Sequence, residues 1–484
     1  MLRTRVESDE AVAQREGLIR RSSQLMVNWA ERWFPDTYVF VVCICIVVAI
    51  GATLHTGQPI AVSRAFGDGF WSIIPFTMQM TFVVIGGYVV AMSPPADALL
   101  RRLARIPRTS RGAIVFVASL SILMSLINWG VSLIFSGLLV REIARREGFT
   151  LDYRAAGAAA YLGLGCTFTL GLSSSPAQLQ ANASSLPPDL RAISGVIGFN
   201  ETILTWQNAV VLLTVMAVSL AISFWTAPSR RTSVTAEELG VDLRIDSRAD
   251  TQSNRPGDRL EFSPVLTIAV AILMSGWVWN AFASGSPFAV LSQLNTYNLL
   301  FLMLGLLLHW RPRSFLESFR QAVPAASGIL LQFPFYGGIG YMLTKVVNAH
   351  GSSASDAIAH CFIGLTDNTG IFSILVGVYS AVLGFFVPSA GGKWLIEAPY
   401  IMSAANQTHA HLGWTVMVYN ITETLPSLIN PFWMLPLLGI LKLKPKDIVG
   451  YTTIQFLIHA PLVILVAAAL MLTFTYHAPV LPPH

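Results

Sequence analysis

Eleven predominantly apolar runs, at 37–56, 70–92, 113–140, 155–172, 203–225, 263–283, 296–310, 323–344, 371–387, 412–425 and 451–475, alternate with short polar stretches. Most approach or exceed the roughly 20 residues that a helix needs to cross a bilayer, and two or three are too short to do so alone. The pattern predicts an all-helical polytopic membrane protein. Several runs are interrupted where they should be most regular. Phe385 to Trp394 reads Phe-Phe-Val-Pro-Ser-Ala-Gly-Gly-Lys-Trp, Asn128-Trp129-Gly130 divides 113–140, Ser173-Ser174-Ser175-Pro176 ends 155–172, and Pro426 with Asn430-Pro431 follows 412–425. Unpaired backbone groups are costly in hydrocarbon, so such breaks survive only where protein buries them or a watery cavity receives them. Paired breaks in two halves of a chain are the sequence mark of a secondary transporter's binding site.

Composition agrees with this pattern. Of 484 residues, 54% are hydrophobic and only 12% charged, against about 25% charged in soluble domains. The net charge of +5 reflects Lys and Arg gathered in short loops, which orients helices in a membrane and implies no nucleic-acid partner. Cys43, Cys45, Cys166 and Cys361 lack metal-ligand spacing and read as small core residues. The histidines, His309, His409, His411 and His459 among them, show no metal spacing either.

The positive-inside rule puts the arginine-rich segment 1–36 in the cytoplasm, with an uncleaved first helix. Arg101 to Arg111 and Arg141 to Arg146 then claim the same side, although a straight helix over 113–140 would separate them. A re-entrant hairpin turning at Asn128 resolves the conflict. The remaining runs place 227–262 in the cytoplasm as a linker with little fixed structure, open the Pro388 hairpin to the outside, and leave the C-terminus outside. Four parts follow: an N-terminal segment 1–36, a first transmembrane repeat 37–226, the linker 227–262, and an extra helix with a second repeat over 263–484. Phe76 to Met80 with Gly86-Gly87-Tyr88 matches Leu330 to Pro334 with Gly337-Gly338 and Tyr341, and Thr37-Tyr38 matches Thr296-Tyr297. The extra helix at 263–283 inverts the second copy relative to the first. The expected fold is thus an inverted repeat with two re-entrant hairpins and two broken helices.

From Trp33 to Phe474, the linker apart, the chain resembles the short-chain fatty acid transporter family of the ion transporter superfamily. Gly67 to Trp71, Asn128-Trp129-Gly130, Arg141 to Arg146, Gln332 to Gly337, Val387-Pro388-Ser389 and Asn430 to Trp433 carry the resemblance. It implies uptake of short-chain monocarboxylates, such as butyrate or acetoacetate, across the bacterial inner membrane. The family pattern at the second hairpin is Pro-Ser-Gly-Gly-Gly before a neutral residue, with Gln-Gly-Pro further on. Here Ala390, Lys393 and Glu397-Ala398-Pro399 stand in those places, and the new charges bear on substrate range and coupling ion.

A monocarboxylate needs donors for its oxygens and a dry slot for its tail. The helix opening after Ser389, with Gly391 and Gly392, offers free N–H groups. Asn128, Ser173, Ser174 and Asn430 add polar side chains at the other breaks, and Lys393 adds a charge, so these eight residues are the expected substrate site. Trp129, Phe335, Trp394, Phe432 and Trp433 are candidates to wall the tail pocket. Ser175, Glu397 and Glu423 are candidates for a coupling ion, Na+ or H+, because intramembrane charges cost at least about 2.5 kcal/mol unpaired. Either Glu397, four residues on in the weaker Lys-to-Glu order on a helix, or Glu423, on a different segment, could partner Lys393. Glu423 as partner to Lys393 with sodium driving transport is preferred over Glu423 as carrier of a coupling proton, because the oxygen-rich breaks already offer sodium ligands. Asp68 reads as a solvated residue in a Gly-Asp-Gly turn. No other cofactor is expected, the partners are the substrate and the lipid bilayer, and a homodimer is one assembly open to the chain. No phosphate-cradling motif and no clustered catalytic constellation is visible, which argues against ATP-driven transport and against an enzyme. A transporter of a different small organic anion and a channel are the alternatives.

Overall fold

The computed structural model describes residues 37–183, 185–229, 232–243, 256–284, 287–386, 389–430 and 432–480. The arginines of segment 1–36, the Val387-Pro388 and Pro431 breaks, and Arg230, Arg231, Arg244, Asp246 and Arg248 of the linker lie outside the described residues. The first repeat comprises α1 (Thr37–Thr56), α2 (Pro59–Ser72), α3 (Ile74–Ala91), α4 (Pro94–Leu103), α5 (Ser110–Ser125), α6 (Trp129–Ala144), α7 (Tyr153–Leu162), α8 (Ser175–Ala181), α9 (Pro188–Ser194) and α10 (Trp206–Thr226). A largely exposed helix, α11 (Pro264–Ser284), precedes the second repeat. That repeat comprises α12 (Leu294–His309), α13 (Pro312–Ala322), α14 (Ser327–Thr344), α15 (Ala354–Leu365), α16 (Thr369–Phe386), α17 (Ala390–Gln407), α18 (Leu412–Thr424), α19 (Leu435–Leu441) and α20 (Pro445–Met471). Among the described residues six helices are long and apolar enough to cross a membrane, or seven when the pair bent by 73° at residues 429–431 counts as one span. The protein is therefore multi-pass.

Contacts between helices follow the repeat. Helix α3 packs on α12 and α13, while its counterpart α14 packs on α1 and α2. The second hairpin arm of each repeat, α6 or α17, packs on the short helix after the other repeat's break, α19 or α8. The two repeats are thus interlocked rather than side by side.

Both hairpins re-enter, and they do so from opposite faces. Arg146, just past the end of α6, donates to the carbonyls of Pro107 at 2.6 Å and Ala104 at 3.0 Å, both just before α5. The two ends of the α5–α6 hairpin therefore lie on one face, together with Leu441, whose carbonyl accepts the Tyr153 hydroxyl. Helix α20 leaves that face and runs 27 residues, about 40 Å. At its far end, Gly370 at the start of α16 lies against Leu472, and the Tyr476 hydroxyl donates to Asn406 near the end of α17. The α16–α17 hairpin accordingly opens on the other face.

Several sequence expectations differ from the structure. Of the four cysteines expected in the core, Cys166 is buried, but Cys43 and Cys361 are exposed on the helix surfaces. Gly67-Asp68-Gly69 is not a turn but lies within α2, with Asp68 exposed as expected. A Cβ on Gly69 would stand 2.4 Å from the Gly337 carbonyl oxygen, so glycine is needed there for two helix backbones to touch. The linker is not wholly unstructured. Asp152 caps α7 and accepts the Val234 N–H at 2.9 Å, while Arg145 donates to the Leu243 carbonyl at 2.6 Å, which docks residues 234–243 on the arginine-bearing face. Helices α4, α13 and α15 extend the apolar pattern. The first two are amphipathic, with charges on one side, so an average over their sequence hides them.

Candidate functional site

Every broken element of both repeats reaches one cavity. Its empty volume, mouth included, is about 490 Å³. Trp129 comes from the tip of the first hairpin, and Ser389, Ala390 and Gly391 from the second. Leu164, Phe168 and Ser175 flank the first break, and Glu423, Ser427 and Trp433 flank the second. Met80 of α3 with Ile329 and Phe333 of α14 close the wall.

The lining combines aromatic, aliphatic and polar groups. Trp129 and Trp433 meet edge to face, 5.4 Å between ring centres, beside Ile329 and Phe333. The same lining holds Ser175, Ser389 and Ser427 and the opening turn of α17. That turn has N–H groups without intrahelical partners and the positive end of an 18-residue helix. Gly391 brings it close: a Cβ there would stand 2.8 Å from the Ser175 Cβ. Glu423, 2% exposed, is the ionisable group in the lining, and its carboxylate faces the Ser389 backbone N–H.

Other sequence-selected residues hold the breaks together instead of lining the cavity. Asn128 caps α6 by accepting the Val131 N–H at 3.0 Å, and donates to the Tyr297 hydroxyl at 3.1 Å and the Val83 carbonyl at 3.3 Å. Ser173 is buried beside Tyr297. Ser174 caps α8 and accepts from Asn420 Nδ2 at 2.5 Å. Asn430 donates to the Phe385 carbonyl at 2.7 Å and accepts the Phe432 N–H at 3.0 Å, tying the second break to the second hairpin. Gly392 admits the Tyr336 ring, since a Cβ would stand 2.2 Å from it.

Lys393 also lies outside the cavity lining. Its ammonium donates to Glu397 at 3.1 Å and to the Ser380 carbonyl at 3.0 Å, and sits 4.7 Å from the centre of the Tyr419 ring. Both side chains are buried. The preferred pairing of Lys393 with Glu423 is therefore replaced by Glu397, one turn along α17. The weaker Lys-to-Glu order is a property of solvated helices, and burial in low dielectric makes proximity decisive.

Of the five aromatic candidates, Trp129 and Trp433 line the cavity. Phe335 packs against Tyr38, Phe66 and Phe70, and Trp394 against Tyr419. The sequence reading missed Phe333, Ile329 and Asn420. Asn420 was legible as a lone amide within the run 412–425. Its Nδ2 also donates to the Thr169 carbonyl at 2.9 Å, while its Oδ1 is buried with no hydrogen-bond partner among the described residues.

The family profile described as Short chain fatty acid transporter matches residues 18–472. The chain belongs to the short-chain fatty acid transporter family. A family member from Escherichia coli K12, provisionally named a short-chain fatty acid transporter, is 32% identical over 90% of this chain and 96% of its own. A similarly named protein of Haemophilus influenzae is 29% identical over 93% and 99%. Among solved structures, the YdaH transporter of Alcanivorax borkumensis, described as having an unusual topology, superposes with a TM-score of 0.56. The match covers 90% of this chain and 98% of that one at 14% identity. That likeness speaks to the fold. Family membership makes this chain a membrane transporter and not an enzyme.

Proposed function

We propose that this family member takes up short-chain monocarboxylates, such as butyrate or acetoacetate, across the bacterial inner membrane, driven by a cation gradient. The observation that carries the reading is the cavity where both hairpin tips and both breaks converge. It is small, walled largely by apolar side chains that include Trp129 and Trp433, and offers donors at the start of α17, which suits an acid with a two- to four-carbon skeleton. The names of the two bacterial relatives favour the same substrate class.

Cation coupling follows from charge. Glu423 shares the cavity that would receive a carboxylate, and the nearby ammonium of Lys393 is already paired with Glu397. Two carboxylates in one low-dielectric space repel, so substrate entry requires a proton on Glu423 or an accompanying cation. Oxygen ligands for Na+ stand close by, in the Asn420 amide, the Thr169 carbonyl and the serines of the first break.

Labelled butyrate and acetoacetate uptake into proteoliposomes, under separate sodium and pH gradients, tests the reading. Saturable accumulation under one gradient is expected. Flux that neither saturates nor responds to either gradient would favour a channel, and accumulation of a different organic anion only would move the substrate class.

A further inference from the structure

Three side chains outside the cavity meet on the face opposite the arginine-rich loops. Glu201 ends the short turn Phe199–Glu201, His411 caps α18, and His477 lies in the tail beyond α20. One ligand-type atom from each lies within 4.8 Å of the other two, and His477 Nε2 is already 3.3 Å from the Glu201 carboxylate. The two imidazoles are 5.0 Å apart at 85°, a corner and not a stack. Neighbours keep the tail there: Phe474 stacks on the His411 ring at 4.4 Å, and the Tyr476 hydroxyl holds Asn406 at 3.1 Å.

We propose that Glu201, His411 and His477 bind a divalent transition-metal ion of the zinc class from the outside, and that the bound ion slows transport. Two imidazole nitrogens and one carboxylate with an open fourth position make a familiar zinc ligand set, whereas calcium and magnesium prefer all-oxygen shells. A tetrahedral ion with bonds of about 2.0–2.1 Å draws its ligands to roughly 3.3 Å from one another. The widest gap must therefore close, and the His477 side chain, 54% exposed, has solvent beside it into which it can adjust.

Binding also reaches the transport machinery. His411 Nδ1 accepts the Trp414 N–H at 3.0 Å, so in the metal-free neutral ring the proton sits on Nε2. A metal on Nε2 takes that position, the proton is carried on Nδ1, and the cap of α18 is given up without net proton loss from the ring. The far end of α18 carries Asn420 and Glu423. The same ion pins the tail that contacts Asn406, near the end of the hairpin arm α17 whose other end lines the cavity. Only this effect on uptake rests on the proposed function, while the binding does not.

Cobalt(II) is the binding probe, titrated into tag-free protein in detergent, because tetrahedral cobalt with nitrogen ligands absorbs in the visible. One equivalent per chain is expected, displaced by zinc. His477→Ala should lose the band, and His411→Asn, which removes the imidazole but keeps a capping side chain, should lose it while folding normally. Glu201→Gln should weaken binding at least tenfold. An absent band, or the same titration in His477→Ala, overturns the site. In proteoliposomes, micromolar zinc on the His411 side should at least halve wild-type uptake and leave His477→Ala unaffected. Cobalt binding with zinc-insensitive uptake overturns the inhibition and leaves the site standing.

Discussion

Lys393 and Glu397 form a buried ion pair, 3.1 Å from Nζ to Oε1, one turn apart on α17. Breaking such a pair leaves an uncompensated charge in low dielectric, a loss of about 3–5 kcal/mol. Lys393→Met and Glu397→Gln should each lower unfolding temperature in detergent and reduce the amount of folded protein. Replacing both with Met removes the unpaired charge, so the double variant should regain most of the stability. If the double variant folds and still transports, Lys393 is structural; if it folds and is inactive, its charge serves the substrate.

Gly391 should be the most sensitive position at the second hairpin tip. A Cβ there stands 2.8 Å from the Ser175 Cβ and narrows the cavity between them. Gly391→Val should abolish uptake at near-normal membrane levels, and Gly391→Ala should reduce it. Ser175→Gly, which withdraws the opposing Cβ, should recover part of the Gly391→Ala loss. No recovery would mean that the two residues do not share the substrate's space.

If Glu423 carries the coupling charge as proposed, changing it should separate accumulation from exchange. Glu423→Gln keeps shape and polarity but removes the proton site, so exchange of internal for external substrate should persist while accumulation against a gradient is lost. Adding Lys393→Met should not rescue it, because Lys393 pairs with Glu397. Unchanged accumulation in Glu423→Gln would assign coupling to the serine and amide oxygens of the breaks.

The opposed hairpins give a labelling prediction. In a background without the native cysteines, single cysteines at Arg105 and Arg146 should react from one side of the membrane and a cysteine at Gln407 from the other. Labelling of Arg105 and Arg146 from different sides would replace the first hairpin with a spanning helix.

The breaks were legible in the sequence because Asn128, the serines at 173–175 and the Ser-Ala-Gly-Gly stretch interrupt apolar runs where an unsatisfied backbone cannot persist. Their partners were not. Asn128 reads as a ligand until Tyr297 is seen to occupy it, and Gly392 reads as an anion cradle until the Tyr336 ring fills its space. These contacts join residues far apart in the chain, which local pattern does not encode. Distance along the chain also hid His411 and His477, whose meeting depends on the tail folding back over the start of α18. The apolar wall escaped for a different reason: Phe333 and Ile329 differ from lipid-facing neighbours such as Leu330 and Leu331 only by the face of α14 they occupy.

The bond from Asn128 to Tyr297 has a consequence for how the protein is made. The two residues are 169 positions apart, and the Tyr297 hydroxyl also donates to the Ile127 carbonyl at 2.5 Å. At roughly 5–20 residues per second, the first hairpin turn must wait on the order of 10–30 s after its own synthesis for this partner to leave the ribosome. During that interval its polar turn lies within the membrane without its final ligand. The nascent first half should therefore stay beside the insertion machinery until α12 arrives, and a stop codon placed in the linker should yield a fragment that is degraded rather than stored.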